Sequence, residues 1–273
     1  MSNIDKKTVK SFGDEWTRFD QRGMPESEAK TRFEEYFAVF PWDNLPINAE
    51  GFDMGCGTGR WARWVAPKVG KLHCIDPSDA IAVAKINLSD HKNVIFHKAS
   101  LDSRCLQSNS QDFGYSLGVL HHVPDTEAAI QSCVDLLKPG APLLLYLYYS
   151  FDNRPWWFRI IWRISDIGRQ IIYRLPSRLK HMITDAIALL IYIPLTTLSR
   201  LIEKMGFDVS SIPLSYYRKY SFYSMRTDAR DRFGTPLERR FSRKKITEMM
   251  ESAGLVGVRF SESVPHWCVV GVK

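Results

Sequence analysis

Three glycines stand at alternate positions, Gly55, Gly57 and Gly59, directly after a short apolar segment that contains Asp53. Glycine has no Cβ, so such a turn between a strand and a helix lets a ligand approach the backbone closely. The dinucleotide-binding fingerprint requires its third glycine one residue later, where this chain has Arg60, and no Gly-Lys-Ser/Thr follows to form a phosphate-binding loop. The spacing argues against both of those sites. It leaves a ligand-binding turn of another kind, or a tight turn without a ligand.

An acidic residue, Asp76, ends the second predicted strand, about twenty residues beyond the glycine turn. A carboxylate at this place in an open α/β sheet can accept hydrogen bonds from both hydroxyls of a ribose. The same residue could instead cap the helix that follows Pro77, and both roles can hold together. The glycine turn and Asp76 jointly indicate a ligand that contains adenosine.

Two histidines, His121 and His122, follow the fourth predicted strand at its carboxyl end, where such sheets place their ligands. We predict that His121 is a general base or a substrate contact, although either histidine could simply cap or pack. Three tyrosines, Tyr146, Tyr148 and Tyr149, stand near the end of the fifth predicted strand. Tyr149 is predicted to lie closest to the mouth of the site, so His121 and Tyr149 are the catalytic candidates.

Four segments in this order, DMGCGTGRW, CIDPS, LGVLHHVPD and LLKPGAPLLLYL, resemble the motifs of class I S-adenosylmethionine-dependent methyltransferases. The likeness is to the small-molecule type, similar to the methyltransferase-11 group. EMMESAGL and HWCVVGVK resemble the closing helix and antiparallel hairpin of that family. The resemblance implies a Rossmann-like doubly wound sheet of seven strands, ordered 3-2-1-4-5-7-6 with strand 7 antiparallel. It also implies S-adenosyl-L-methionine as the methyl donor.

The resemblance further implies which residues surround the donor. The methionine moiety would face Asp53 and the turn residues Gly55, Cys56, Gly57, Thr58 and Gly59, with Leu117 and Gly118 lining the methionine end. The ribose would face Asp76, and the adenine would be surrounded by Pro77, Ser78, Ser100 and Leu101. The family often has an aspartate after the third strand that binds the adenine amino group. This chain has Lys98-Ala99-Ser100 there, so adenine recognition is expected from Ser100 or from backbone.

Short β-type segments alternate with helical ones through the middle of the chain, which predicts parallel βαβ units. The predicted strands are 51–54, 71–75, 93–97, 112–119, 142–149, 256–261 and 266–272. The predicted helices are 60–66, 79–88, 126–137 and 244–253, with Asp125 and Ser242 as N-caps and Gly254 as a stop. We therefore predict one methyltransferase domain, with its Rossmann-like core at 46–149 and 237–273. A helical lead at 1–45 and a helical cap inserted at 150–236 complete it.

Aromatic residues mark both the lead and the insertion. Phe12, Trp16 and Phe19 share one face of a predicted helix, which either packs on the core or places Trp16 over the cofactor, whose sulfonium an aromatic ring can stabilise. The insertion interleaves aromatic and basic side chains: Trp156, Trp157, Phe158, Arg159, Trp162, Arg163, Arg169, Arg174 and Arg178. We favour a cap over the acceptor pocket, with peripheral membrane contact through 150–200 as an alternative. A nucleic-acid surface is not expected.

The remaining features of the chain narrow its function class. Its formal charge is +7, and its five cysteines form neither a Cys-x-x-Cys pair nor a cluster with histidine, so we expect no metal site and no disulfide. No signal-like apolar core opens the chain, and the run 186–198 contains Pro194 and is short for a bilayer span, so a cytoplasmic protein is expected. No Asn/Asp-Pro-Pro-Tyr motif follows the fourth strand, which argues against amino-directed DNA methylation.

The predicted activity is methyl transfer to a small-molecule acceptor by in-line displacement, with oxygen or sulfur favoured over nitrogen. The alternatives are a cofactor-binding scaffold without turnover and a lipid or glycan methyltransferase at the membrane surface. A nicotinamide-dependent oxidoreductase is disfavoured by the glycine spacing.

Overall fold

The computed structural model describes residues 3–101, 103, 105–152, 154–262 and 267–273. Seven strands within them form one sheet, ordered β3-β2-β1-β4-β5-β7-β6. The strands are β1 Glu50–Met54, β2 Lys71–Ile75, β3 Val94–His97, β4 Phe113–Leu117, β5 Pro142–Tyr146, β6 Val256–Phe260 and β7 Cys268–Val272. Strand β7 runs antiparallel to β5 and β6, and the other pairings are parallel. The predicted strand order is confirmed.

Several strands end earlier than their sequence pattern predicts. The pattern extends the fifth strand to residue 149, whereas β5 ends at Tyr146, and β4 likewise ends at Leu117. Beyond Tyr146 the chain is no longer paired with β7, and Tyr149 makes only an isolated bridge to Phe241. The predicted start of the last strand at residue 266 lies outside the described residues.

The central strands of the sheet are covered on both faces, which explains why they are buried along their length rather than on alternate residues. Strand β5 is buried along its whole length. The core cluster on one face contains Phe37, Leu72 and Tyr115, and the cluster on the other contains Phe52 and Ile130. This arrangement places the carboxyl ends of β1, β2 and β4 side by side, where the predicted site residues follow.

The helices that belong with the sheet are α1 Lys6–Arg18, α2 Glu26–Tyr36, α3 Ala62–Val65, α4 Ala80–Asn87, α5 Thr126–Leu136 and α10 Arg243–Ser252. Two predicted N-caps are confirmed: Asp125 Oδ1 accepts a hydrogen bond from Ala128 N at 3.0 Å, and Ser242 Oγ accepts one from Lys245 N at 3.1 Å. The predicted stop is confirmed too, since Gly254 follows α10 with φ +89°.

The chain divides into two compact units. The core unit contains the chain up to Asp20, Ala29–Ser150 and Leu237–Lys273, and the helical unit contains Gln21–Glu28 and Phe151–Pro236. The helical unit contains α6 Trp156–Ile172, α7 Ser177–Ile187, α8 Ile193–Lys204 and α9 Phe222–Gly234.

Helices α7 and α8 are continuous through a π-helical turn, Ala188–Tyr192, and form one helix, Ser177–Lys204, of 28 residues. Its length and composition are sufficient to cross a membrane, so the prediction that this apolar run is too short was wrong. The helix continues through Pro194, which has no N–H to donate to the preceding turn, and the wider π-helical turn Ala188–Tyr192 lies directly before this proline.

Candidate active site

The three glycines of the turn have different functions in the structure. All adopt positive φ, at +79°, +54° and +77° for Gly55, Gly57 and Gly59. A Cβ on Gly55 would lie 2.5 Å from Val119, and one on Gly59 would lie 2.7 Å from Leu88, so both positions are closed by packing. A Cβ on Gly57 would meet nothing nearer than the Trp16 indole at 3.6 Å. Gly57 is therefore the glycine whose backbone lies open to a ligand.

The Asp76 carboxylate holds this turn in place. It is 8% exposed, and its Oδ2 accepts a hydrogen bond from Gly57 N at 2.9 Å. Its Oδ1 accepts from Ser78 N at 2.8 Å and from Ser78 Oγ at 2.6 Å. A carboxylate oxygen has two lone pairs, so Oδ2 keeps one for a ribose hydroxyl. The helix that follows Pro77 begins at Ala80, whose N–H donates to Ser78 Oγ at 3.2 Å, so Asp76 is not the cap of that helix. The ligand-binding role of Asp76 stays a prediction, and Ser78 supports its carboxylate.

A buried carboxyl group without a partner lies at the base of the turn. Asp53 is 1% exposed, and neither of its carboxylate oxygens has a hydrogen-bond partner among the described residues. Burial raises the pKa of Asp53 to about 8; Asp76 raises it further, while Tyr115 on the adjoining strand and Arg60 act in the opposite direction. Asp53 is therefore largely protonated at pH 7. An unpaired buried carboxyl group fits a ligand with a cationic group, which would restore its charge.

Helix α1 contacts the glycine turn through Trp16, whose indole lies against Gly57. The Arg60 guanidinium carbon is 5.5 Å from the centre of the Trp16 ring and 4.5 Å from that of Trp61. Asn87 Nδ2 donates to Asp20 O at 2.9 Å and to Thr58 O at 3.0 Å, which ties the residue after the lead helix to the turn. Trp16 thus packs against the glycine turn, and its contact with the cofactor stays a prediction.

The other two aromatic residues of the lead contact different neighbours. The Phe12 ring lies 4.9 Å from the His122 ring, centre to centre, and Phe19 is 2% exposed with the Arg18 guanidinium over its face. Helix α1 thus reaches from the glycine turn to the histidine pair. On this aromatic face, Phe19 is buried by packing, whereas Trp16 contacts the glycine turn and Phe12 contacts the histidine pair.

The histidine His121 is fully buried in an aromatic cluster after β4. The centre of its ring lies 3.9 Å from that of Tyr148 and 3.9 Å from that of His122. Neither ring nitrogen has a hydrogen-bond partner among the described residues. Burial, with further contributions from His122 and Arg240, holds its pKa well below the ordinary 6.5, so the imidazole is neutral at pH 7. His122 is fixed differently, because its Nδ1 donates to Leu237 O at 2.7 Å.

The second catalytic candidate, Tyr149, lies elsewhere. It is 7% exposed, its ring centre is 5.8 Å from that of Trp267, and its carbonyl accepts from Arg240 at 3.3 Å. Side chains alternate along extended chain, so Tyr146 and Tyr148 point to the other face and Tyr148 is the tyrosine beside His121. The structure therefore does not bring Tyr149 to His121. Arg240 lies over the Tyr148 ring at 5.0 Å.

The remaining predicted cofactor residues follow the ends of β2, β3 and β4. Ala99 N donates to Asp76 O at 3.2 Å, which places Ser100 and Leu101 directly after a residue bound to the ribose candidate. Gly118 has φ +80° and donates to Tyr146 O at 3.0 Å. The other predicted positions are buried or partly buried in the same region: Cys56, Thr58, Pro77 and Leu117.

Several residues of the site have no sequence motif that predicts them. They are Arg60, Asn87, Tyr115 and Arg240. Arg60 stands where the dinucleotide fingerprint has glycine, so its type, a cation directly after the turn, is the one available signal. The other residues reach the site because neighbouring strands align or because distant segments of the chain pack together, and neither is visible in a local motif.

The fold and the glycine turn together define the methyltransferase class, and comparison with known proteins agrees. Residues 52–145 match the family model described as a methyltransferase domain. A ubiquinone biosynthesis O-methyltransferase of Nitrosospira multiformis is 27% identical over 180 residues, which cover 64% of this chain and 70% of that protein. Phosphoethanolamine N-methyltransferase 2 of Caenorhabditis elegans is 34% identical over 100 residues, 35% of this chain and 23% of that protein.

Solved structures share the fold at low sequence identity. An S-adenosylmethionine-dependent methyltransferase from Mesorhizobium loti is 15% identical with a TM-score of 0.52, over 90% of this chain and 100% of that one. An O-methyltransferase family protein from Burkholderia thailandensis is 14% identical with a TM-score of 0.52, over 96% of this chain and 58% of that one.

The methyltransferase domain at residues 52–145, the relatives and the shared fold together support a class I S-adenosylmethionine-dependent methyltransferase. The chain is an enzyme whose methyl donor is S-adenosylmethionine, and the residues around Gly57 fit that donor by the open backbone and the orphaned carboxyl of Asp53.

Proposed function

We propose that this enzyme methylates a hydroxyl group of a small-molecule acceptor, with a thiol as the next choice and an amine last. The observation that carries the proposal is His121, a buried and neutral imidazole with two unpaired nitrogens after β4. An alcohol or phenol needs a base to take its proton during attack, whereas a neutral amine does not. Relatives named as O-methyltransferases support the same choice of atom.

The cofactor supplies a methyl carbon activated by positive sulfur, and the chain supplies position and proton transfer. Gly57 and Asp76 would hold the donor, Asp53 would balance a cationic group of it, and His121 would receive the acceptor proton and pass it to solvent. The bound donor would supply the methyl group to the acceptor oxygen and leave as the neutral thioether. Excluding water and fixing the two reactants provide most of the rate gain for such a displacement.

A screen with donor labelled in its methyl group tests this proposal. The panel contains phenols, aliphatic alcohols, sugars, thiols, lipids and phosphoethanolamine, the last because one relative carries that name. Label in a phenol or alcohol is the expected result. Label only in the amine would overturn the choice of oxygen. Donor binding without label transfer to any acceptor would instead favour a cofactor-binding scaffold.

We also propose that the enzyme works in the cytoplasm. Five free cysteines, four of them buried, suit a reducing compartment. Fractionation of the producing cells, followed by detection of the chain in the soluble, membrane and exported fractions, tests this; recovery from the exported fraction would refute it.

A further inference from the structure

One face of helix α6 is apolar and open to solvent. Trp156, Ile160, Ile164, Ile167 and Ile171 follow each other at spacings of three or four residues, so they form a single stripe on the helix. Each side chain in this α6 stripe is between 45% and 71% exposed. Contiguous exposed apolar patches on soluble proteins mark interaction sites.

The opposite face of α6 is packed against other residues of the helical unit. The exposed stripe therefore belongs to a helix that is held in place. Arg169 on that face is 6% exposed and donates to Thr235 O at 2.9 Å and to Pro236 O at 3.0 Å. It also pairs with Asp166 at 2.6 Å, and the Trp162 ring centre lies 5.8 Å from that of Phe151. Helix α6 is therefore anchored on one side and exposed to solvent on the other.

Basic side chains border the stripe without acidic neighbours. Arg159 and Arg163 are exposed, and neither forms an ion pair within the described chain. Between residues 154 and 207 the acidic residues are Asp166, Asp185 and Glu203. Each is partly buried and paired with an arginine, at 2.6, 2.9 and 2.6 Å. The solvent side of this segment is thus mainly apolar and cationic, and each of its three acidic groups is paired with an arginine.

We propose that the α6 stripe docks in the interface of an anionic phospholipid bilayer. Apolar side chains bury themselves at the headgroup boundary while the bordering arginines meet negative headgroups. A second copy of the chain fits poorly, because a symmetric contact would set arginines against arginines. The inference concerns where the enzyme docks and does not depend on the acceptor proposed above.

Helix α6 would lie along the bilayer surface. The long helix of the same unit would not cross the bilayer. The helix Ser177–Lys204 has the length and composition of a span, but 28% of its most apolar window is buried in the protein. Near its middle Asp185 pairs with Arg226 of α9 at 2.9 Å, and the Tyr192 hydroxyl donates to Asp228 of α9 at 2.6 Å. Crossing the bilayer would draw these charged groups into hydrocarbon or break their contacts.

Co-flotation of the full-length protein with vesicles tests the proposal. Vesicles of equimolar phosphatidylcholine and phosphatidylglycerol should bind the protein, and pure phosphatidylcholine vesicles should bind it far more weakly. Arg159→Gln/Arg163→Gln should weaken anionic vesicle binding about 25-fold, since each basic side chain near the surface contributes about a factor of five. High salt should reproduce that loss in the unchanged protein.

A second pair of variants separates the apolar contribution from a general effect of new charge. Ile164→Asp/Ile167→Asp should abolish flotation, whereas the control Ile47→Asp/Ile86→Asp, at two exposed isoleucines of the core unit, should leave it unchanged. Circular dichroism checks that all variants fold. Absence of flotation with anionic vesicles would overturn the proposal. So would a dimer in sedimentation that Ile164→Asp/Ile167→Asp dissociates while the unchanged protein ignores vesicles, because the stripe would then serve a second copy.

Discussion

The orphaned carboxyl of Asp53 leads to a quantitative prediction about donor binding. Its pKa is raised to about 8 by burial, so only about one molecule in eleven carries the ionised form at pH 7. If the bound donor presents its cationic group to Asp53, the complex requires the ionised form. Binding at pH 7 is then weakened by the cost of ionisation, about 1.4 kcal/mol, and the affinity should rise about tenfold between pH 7 and the plateau above pH 8.

The substitution Asp53→Asn removes this titration while keeping the size of the side chain. Calorimetry of donor binding from pH 6 to 9 should show a ratio of unchanged to variant affinity that rises with pH and levels off above 8. The donor's own amino group titrates in the same range, but it does so with both proteins and cancels in the ratio. In buffers of different ionisation enthalpy, the unchanged protein should release about 0.9 proton per donor bound at pH 7.

A flat ratio across this pH range, together with equal proton release by both proteins, would refute the assignment of Asp53 to the donor's cationic group. An Asp79→Asn variant is a matched control, because that aspartate is exposed and pairs with Lys98 on the surface. Its affinity should follow that of the unchanged protein at every pH.

Four further predictions concern the same site. Asp76→Ala should weaken donor binding by roughly 1–3 kcal/mol and lower Tm, since the turn loses its anchor as well as the ribose acceptor; unchanged calorimetric affinity would contradict it. His121→Asn should lower kcat about 100-fold or more without changing donor affinity, if the acceptor is a hydroxyl; equal turnover would remove the base. The same histidine predicts acid sensitivity. Its folded pKa lies below the unfolded value of 6.5, so its contribution to stability is present above pH 6.5 and lost as pH falls. Urea unfolding of His121→Phe should depend less on pH below 6.5 than that of the unchanged protein. Gly57→Ala should cost about 1 kcal/mol of folding through its φ of +54° and weaken donor binding, whereas Gly140→Ala, with φ +84° and open space, should affect folding alone.

The strand order and the position of the donor turn were predictable because they rest on local patterns. The glycine turn and each apolar run can be recognised from a few consecutive residues. The rule that parallel crossovers are right-handed then restricts the possible strand orders to a few. The place where a strand stops is set by its partner instead. Strand β5 ends at Tyr146, the last residue paired with β7, and beyond it Tyr148, on the same face as Tyr146, is the tyrosine that meets His121.

The same limit explains the rest of the unpredicted site. Asp53 carries its raised pKa because strand register encloses it between Cys74 and Tyr115, which no single segment reveals. The π-helical turn that carries the long helix to Pro194 depends on packing against α9, where Tyr192 and Asp228 meet. Local sequence predicts a break at that proline, and tertiary contacts override it.

Helix α1 places Trp16 against the glycine turn and Phe12, one helical turn earlier, against His122. Such a short stretch of helix moves as a rigid body. A shift of the Trp16 indole on donor binding would therefore also shift Phe12 against His122. We expect the consequence in the kinetic order of the two reactants: donor first, acceptor second. Product inhibition by S-adenosylhomocysteine should then be competitive with the donor and noncompetitive with the acceptor.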